Sequence, residues 1–180
     1  MQVTLAVDGD AIIGGITYEL YPRSRCGFVT YMVVAPSARR HGLGRELLDS
    51  ATRALYGNGA MAVFGEVNDP RAHGEAARPR LQRFERWGAR VLDVTYVQPS
   101  LGDGLERDRR LCMIVLPEPQ AGVPAVAAGT LRGFLHELYE VTEQRAPDEE
   151  LRGILHGITD PVTFRAEGGK PDHEQANGVR

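Results

Sequence analysis

A chain of 180 residues, 42% hydrophobic and 25% charged, has the length and composition of one globular domain with room for an appendage. Its net charge of −3 gives no support to a nucleic-acid partner held by bulk electrostatics. No run approaches the ~18 consecutive apolar residues of a membrane span, and the start Met1-Gln2-Val3-Thr4 lacks a basic leader, so a cytoplasmic protein that does not engage a membrane is expected.

The first elements are extended. Val3 to Val7 alternates loosely, and Asp8-Gly9-Asp10 is a hairpin turn into a second strand from Ala11 to Tyr21. Gly14-Gly15 within it marks a bulge or a close backbone approach. Tyr21-Pro22-Arg23-Ser24 turns the chain into a third strand, Cys26 to Val34. Cys26 and Cys112 stand in apolar, strand-like contexts without Cys-x-x-Cys or histidine spacing, which reads as two buried thiols in a reducing compartment and no metal site.

The most informative stretch follows. Val33-Val34-Ala35-Pro36 leads into an arginine-rich turn closed by Gly42-x-Gly44, and Leu43, Leu47, Leu48, Ala51 and Leu55 then carry helical spacing. Strand, glycine-bearing turn and helix start aim free backbone N–H groups at one spot, with the positive end of the helix dipole behind them. Such a turn suits a pyrophosphate. The two glycines allow close approach and positive φ, and Arg39, Arg40 and Arg45 add charge at the rim. A P-loop is excluded because Gly44 is followed by Arg45-Glu46, and a dinucleotide fingerprint because Leu47 stands where its third glycine belongs. A tight strand–helix turn that binds nothing is the competing structural explanation.

The helix ends at Gly57-Asn58-Gly59, and Ala60 to Val67 is a mostly apolar central strand, parallel to its predecessor across a helical crossover. A polar loop then holds Arg71, His73 and Glu75. Leu81, Phe84 and Trp87 mark a short helix stopped by Gly88. Val91 to Val97 alternates as a strand, with Leu92, Val94 and Tyr96 on one face. Leu111 to Leu116 is the last strand. After a Pro/Ala/Gly/Val linker, Leu131, Phe134, Leu135, Leu138 and Tyr139 predict one helix. Leu151, Ile154, Leu155 and Ile158, behind the acidic start Asp148-Glu149-Glu150, predict another. Residues 165–180 have the composition of a disordered tail.

The [Arg/Gln]-x-x-Gly-x-Gly pattern of Arg39, Gly42 and Gly44, directly after a strand ending in a Val-x-Pro-like segment, resembles the acetyl-CoA motif of the GNAT N-acetyltransferase superfamily. The element order resembles that fold over residues 1–117, with 118–164 left as a linker and two-helix extension. The resemblance implies an α/β (α+β) fold: a mixed, mostly antiparallel sheet with a splayed central parallel strand pair, plus the C-terminal helices. It implies acetyl-CoA as co-substrate and acetyl transfer to a primary amine of a small molecule or peptide by direct attack. The pyrophosphate falls to the backbone N–H groups of residues 40–45, and the cofactor-binding residues of the turn are Arg39, Arg40, His41, Gly42, Leu43, Gly44 and Arg45. The pantetheine arm falls to the backbone of Met32, Val33 and Val34.

For the amine proton, Glu66 occupies the family's carboxylate position in the central strand. The alternative is a glutamate paired with an arginine or anchoring the following loop. His73 is a second candidate base. The family's general-acid tyrosine is replaced by Phe84, leaving Tyr31 and Tyr96 as candidates. Family members usually begin with helices that wall the acceptor pocket, whereas here the hairpin comes first. The C-terminal helices are therefore expected to pack on the core, over the surface those helices would bury, or on a second subunit as a homodimer. A catalytically silent CoA-binding module is the alternative function.

Overall fold

The computed structural model describes residues 1–166, so the expected tail lies outside the described residues from 167 on. Its strands are β1 (Gln2–Asp8), β2 (Ala11–Tyr21), β3 (Cys26–Val34), β4 (Ala62–Asn68), β5 (Arg90–Val91) and β6 (Leu111–Leu116). They form one sheet in the order β1-β2-β3-β4-β6-β5. Neighbours run antiparallel except β3 and β4, which are parallel across helix α1 (Leu43–Gly57).

The central pair parts early. β3 pairs with β4 only from Cys26 to Val29, opposite Ala62 to Gly65, although both strands continue. On its other side β3 stays paired with β2, with a register shift in which Thr17 faces Tyr31 and Tyr18 faces Val29. Thr30 is the extra residue. Its hydroxyl lies 2.7 Å from that of Thr17, which pins the bulge. A bulge bends its strand and increases the local twist, which swings Tyr31–Val34 away from β4. The second register shift, between Ala6 and Val7, skips Ile13. Gly14 and Gly15 are instead places of close approach: a Cβ on Gly14 would stand 3.2 Å from Leu47.

Each sheet face has its own core. On one, α1 and helix α3 (Arg78–Arg86) bury Leu47, Leu48, Leu55, Leu81 and Phe84 against Ile16, Val63, Val67 and Ile114. On the other, α4 (Ala128–Glu143) lays Leu131, Phe134, Leu135 and Leu138 on Phe28, Phe64, Met113 and Val115, with Ile154 of α5 (Glu149–Gly157) joining them. Phe134 is central there, its ring 4.9 Å from that of Phe64, 5.4 Å from Tyr21 and 5.6 Å from Phe28. The helical stripes read in the sequence are therefore packing faces on the sheet. The Asp148 side chain caps α5 by accepting from the Leu151 N–H at 2.9 Å.

Two expectations need correction. The strand expected over Val91–Val97 stops at Val91. Leu92 instead bridges to Phe164 beyond α5, the Asp93 N–H donates to the Thr163 carbonyl at 2.8 Å, and Tyr96 and Val97 sink into the α4 core. Burial under the C-terminal helices overrides the local alternation. The polar loop after β4 holds a short helix, α2 (Pro70–His73), because the Asp69 carboxylate accepts from the Arg71 N–H at 2.9 Å.

Both cysteines are free and buried, one in each core. Burial pushes the Cys26 thiol up to about 11 and the Cys112 thiol up to about 12, so neither is a ready nucleophile. No metal-binding group of histidines, cysteines and carboxylates occurs among the described residues. No described helix is long and apolar enough to cross a membrane.

Candidate active site

The turn after β3 is built by backbone. Ala35 is tied to β2 through its N–H on the Ile13 carbonyl at 2.8 Å, and Pro36–Ala38 makes one helical turn. Arg40 then takes φ 73 and Gly42 φ 84, so two residues in three reverse the chain through the left-handed region. That conformation is strained at Arg40 and easy at Gly42. Gly42 opens α1 without a side-chain cap, and its carbonyl receives the N–H groups of Arg45 and Glu46 at 2.8 and 3.1 Å. Among the described residues, no backbone carbonyl accepts from the N–H groups of Arg40, His41, Gly42, Leu43 or Gly44. Several adjacent donors at a helix start are the geometry of an anion cradle.

The two glycines have different reasons. Gly42 needs its positive φ, and a Cβ there would meet only Glu46, at 3.8 Å. Gly44 has helical φ, but a Cβ would stand 3.2 Å from the Trp87 ring and 3.7 Å from Val34. The arginines also divide. Arg39 Nε donates to the Val34 carbonyl at 3.1 Å. Arg45 Nε donates to Asp49 at 2.8 Å, and Arg45 Nη1 to the Trp87 carbonyl at 2.7 Å. These two shape the turn, while Arg40 and His41 stand exposed beside it.

Where β3 and β4 part, Glu66 projects from β4 on the α4 side of the sheet. The Tyr96 hydroxyl donates to Glu66 Oε2 at 2.6 Å, and Gln98 Nε2 donates to Glu66 Oε1. Burial raises the carboxyl above its ordinary value, and these two hydrogen bonds work against the rise. Burial, helped by the Glu66 charge, pushes Tyr96 well above the usual phenol range.

A family model for the acetyltransferase (GNAT) family matches residues 2–78, from β1 through the turn to the start of α3. A solved GNAT-family protein of Bacteroides thetaiotaomicron shares the fold with a TM-score of 0.58 at 22% identity, over 77% of this chain and 70% of that one. Residues 2–78 thus resemble the acetyltransferase (GNAT) family, and the chain has a GNAT-like fold. Looser similarities include nourseothricin acetyltransferase (TM-score 0.47, 25% identity, 62% of this chain and 61% of that one). Another is a Bacillus subtilis acetyltransferase solved with CoA (TM-score 0.46, 18% identity, 63% of this chain and 74% of that one). No curated protein matches the sequence significantly.

Of the candidate site residues, Glu66 and Tyr96 come together and the others stand apart. Tyr31 lies on the freed part of β3, 66% exposed, its hydroxyl without a hydrogen-bond partner among the described residues. Met32 and Val34 lean on the α1 core, and Val33 is exposed between them. Beyond Val29 this edge of β3 has no strand partner on the β4 side among the described residues. His73 ends α2, its Nε2 buried without a hydrogen-bond partner among the described residues, and no hydrogen bond links it to Glu66. Phe84 is buried edge-on to Trp87, 5.5 Å between ring centroids, and belongs to the core under α3. Gln98 was missed in the sequence. It lies two residues beyond Tyr96, and the alternation that put Leu92, Val94 and Tyr96 on one face points to it as the next member.

Proposed function

We propose that this protein is a GNAT enzyme that transfers an acetyl group from acetyl-CoA to a primary amine of a small molecule or peptide by direct attack. The observation that carries the reading is a partly buried carboxylate, Glu66, at the point where β3 and β4 part, with a cradle of free N–H groups at the end of β3. The cradle fits an anion: Gly42 leaves the space above it open, and five consecutive residues offer N–H groups. Residues 40–44 would hold the pyrophosphate, with Arg40 and His41 at its rim. The unpaired edge of Met32–Val34 would take the amides of the pantetheine arm as a strand takes a neighbour.

Acetyl-CoA supplies the activated acyl group, and the protein's own work is orientation and proton transfer. Glu66, ionised, takes the proton that an ammonium must lose before its nitrogen can attack. With its carboxyl held above the ordinary range, the acid limb of activity should fall above the pH where a solvated glutamate titrates. Tyr96 is a poor proton donor because its phenol is raised and already committed to Glu66. Tyr31, exposed on the freed β3 edge, is the better placed hydroxyl for the leaving thiolate. The two free buried thiols suit a reducing, cytoplasmic setting.

Thiol release from acetyl-CoA over a panel of primary amines tests this. Glu66→Gln should lower turnover at neutral pH by about 10²-fold or more while acetyl-CoA affinity stays within about twofold. A silent CoA-binding module would bind acetyl-CoA and release no thiol with any amine. An unaltered pH–rate profile in Glu66→Gln would move the base to His73 or to water.

A further inference from the structure

Tyr96 and Gln98 grip Glu66 from a segment that is not part of the sheet, and the fastenings of that segment lie on α4. The Tyr139 hydroxyl donates to the Val97 carbonyl at 2.5 Å, and Val97 sits between the two gripping residues. Glu143, one turn further along α4, accepts from the Ser100 N–H at 3.0 Å. Arg107 donates to both Glu143 oxygens at 2.7 Å, and its guanidinium lies 4.8 Å from the Tyr139 ring centroid. Arg107 also reaches Asp148 and Glu150 at the start of α5, each at 2.8 Å. Between these points Gln98 and Asp108 exchange backbone hydrogen bonds of 2.8 and 3.2 Å. The Arg107 and Glu143 side chains are 7% and 4% exposed, so this is an interior clamp rather than a surface ion pair.

We infer that Tyr139 and Glu143 are positioning residues for the carboxylate at the reaction centre. Through Val97, Ser100 and Arg107 they fix the 96–98 segment so that Tyr96 and Gln98 keep both Glu66 oxygens bonded and oriented. The inference rests on the reading of Glu66 as the base. Its physical content is that a carboxylate on a partly buried strand stays ionised, and in one rotamer, only while donors face it. Besides Tyr96 and Gln98, the groups facing Glu66 are Asp108, which disfavours its charge, and the Tyr21 hydroxyl from β2. Slack in the clamp therefore removes the favourable contacts and leaves the unfavourable one.

The test follows the Glu66 carboxyl directly, by ¹³C NMR titration of the glutamate-labelled full chain, with Glu66→Gln assigning the resonance. Tyr139→Phe removes the hydrogen bond and keeps the ring over Arg107. The Glu66 midpoint should move to higher pH by about half a pH unit or more, as it should in Gln98→Leu, which removes one donor outright. In turnover, kcat should fall severalfold while KM for acetyl-CoA is unchanged. Leu135→Val, a core change elsewhere on α4, should lower the melting temperature without moving the Glu66 titration. A parent-like titration in Tyr139→Phe would overturn the inference, and so would an equal displacement in Leu135→Val. Those failures leave the base reading intact if Glu66→Gln loses the acid limb of thiol release. If Glu66→Gln keeps that limb, the base reading fails and the positioning role falls with it.

Discussion

The two parts of the proposed site are made of different materials. The turn from Arg39 to Arg45 offers main-chain N–H groups, and its two best-placed arginines are spent on the Val34 and Trp87 carbonyls and on Asp49. The side proposed for the acceptor offers side chains: Glu66, Tyr96 and Gln98, secured from α4 by Tyr139 and Glu143. A backbone site tolerates side-chain exchange wherever φ and space allow. A side-chain site fails at single atoms. Substitutions should therefore separate the two, with cofactor affinity answering to the turn and turnover to the α4 side.

The largest effect expected in stability is at α4 itself. Phe134 is fully buried among Tyr21, Phe28 and Phe64, so Phe134→Ala should cost about 3–5 kcal/mol. Urea denaturation measures it. A loss below about 1 kcal/mol would mean that the helices are an appendage and that the acceptor side does not depend on them.

Acid should loosen the α4 side. Glu143 is lowered from 4.5 to about 2, chiefly by its hydrogen bonds to Arg107. A carboxyl depressed on folding stabilises the protein above its unfolded value and loses that contribution as pH falls. The window runs from pH 4.5 down to about 2. Acid-unfolding curves for the parent and Glu143→Gln should converge across it, whereas a constant gap down to its lower end would show that Arg107 does not set the Glu143 charge.

The smallest effect belongs to Arg45. It pairs with Asp49 where both side chains are more than a third exposed, so Arg45→Ala should cost no more than about 1 kcal/mol in stability and weaken acetyl-CoA binding only modestly. A loss of affinity as large as that from a change at Gly42 would mean that Arg45 leaves Asp49 for the ligand.

The turn was legible in the sequence because everything it needs is local. Strand end, Pro36, both glycines and the amphipathic start of α1 lie within one short stretch, and each reports backbone geometry. What stayed hidden there was that Gly42 and Gly44 are glycine for different reasons, since Trp87 reaches Gly44 from far along the chain. Most of the sheet and the C-terminal stripes were legible from periodicity. The acceptor side was not, because Glu66 and its partners are 30 and 32 residues apart, and Tyr139 acts on Val97 across 42. The same tertiary contacts erased the strand expected over Val91–Val97. Glu66 stood out as a charge within an apolar strand, but no pattern in sequence said which donors would face it.

The most direct measurement is isothermal titration of acetyl-CoA into the parent and Gly42→Val. Gly42 has open space around its Cβ position and φ 84, so the variant should fold with a local strain of about 1–2 kcal/mol. Micromolar binding by the parent and at least about tenfold weaker binding by Gly42→Val are the expected results. A parent that binds no acetyl-CoA, or a folded Gly42→Val that binds it as tightly as the parent, would contradict the assignment of this turn as the cofactor site.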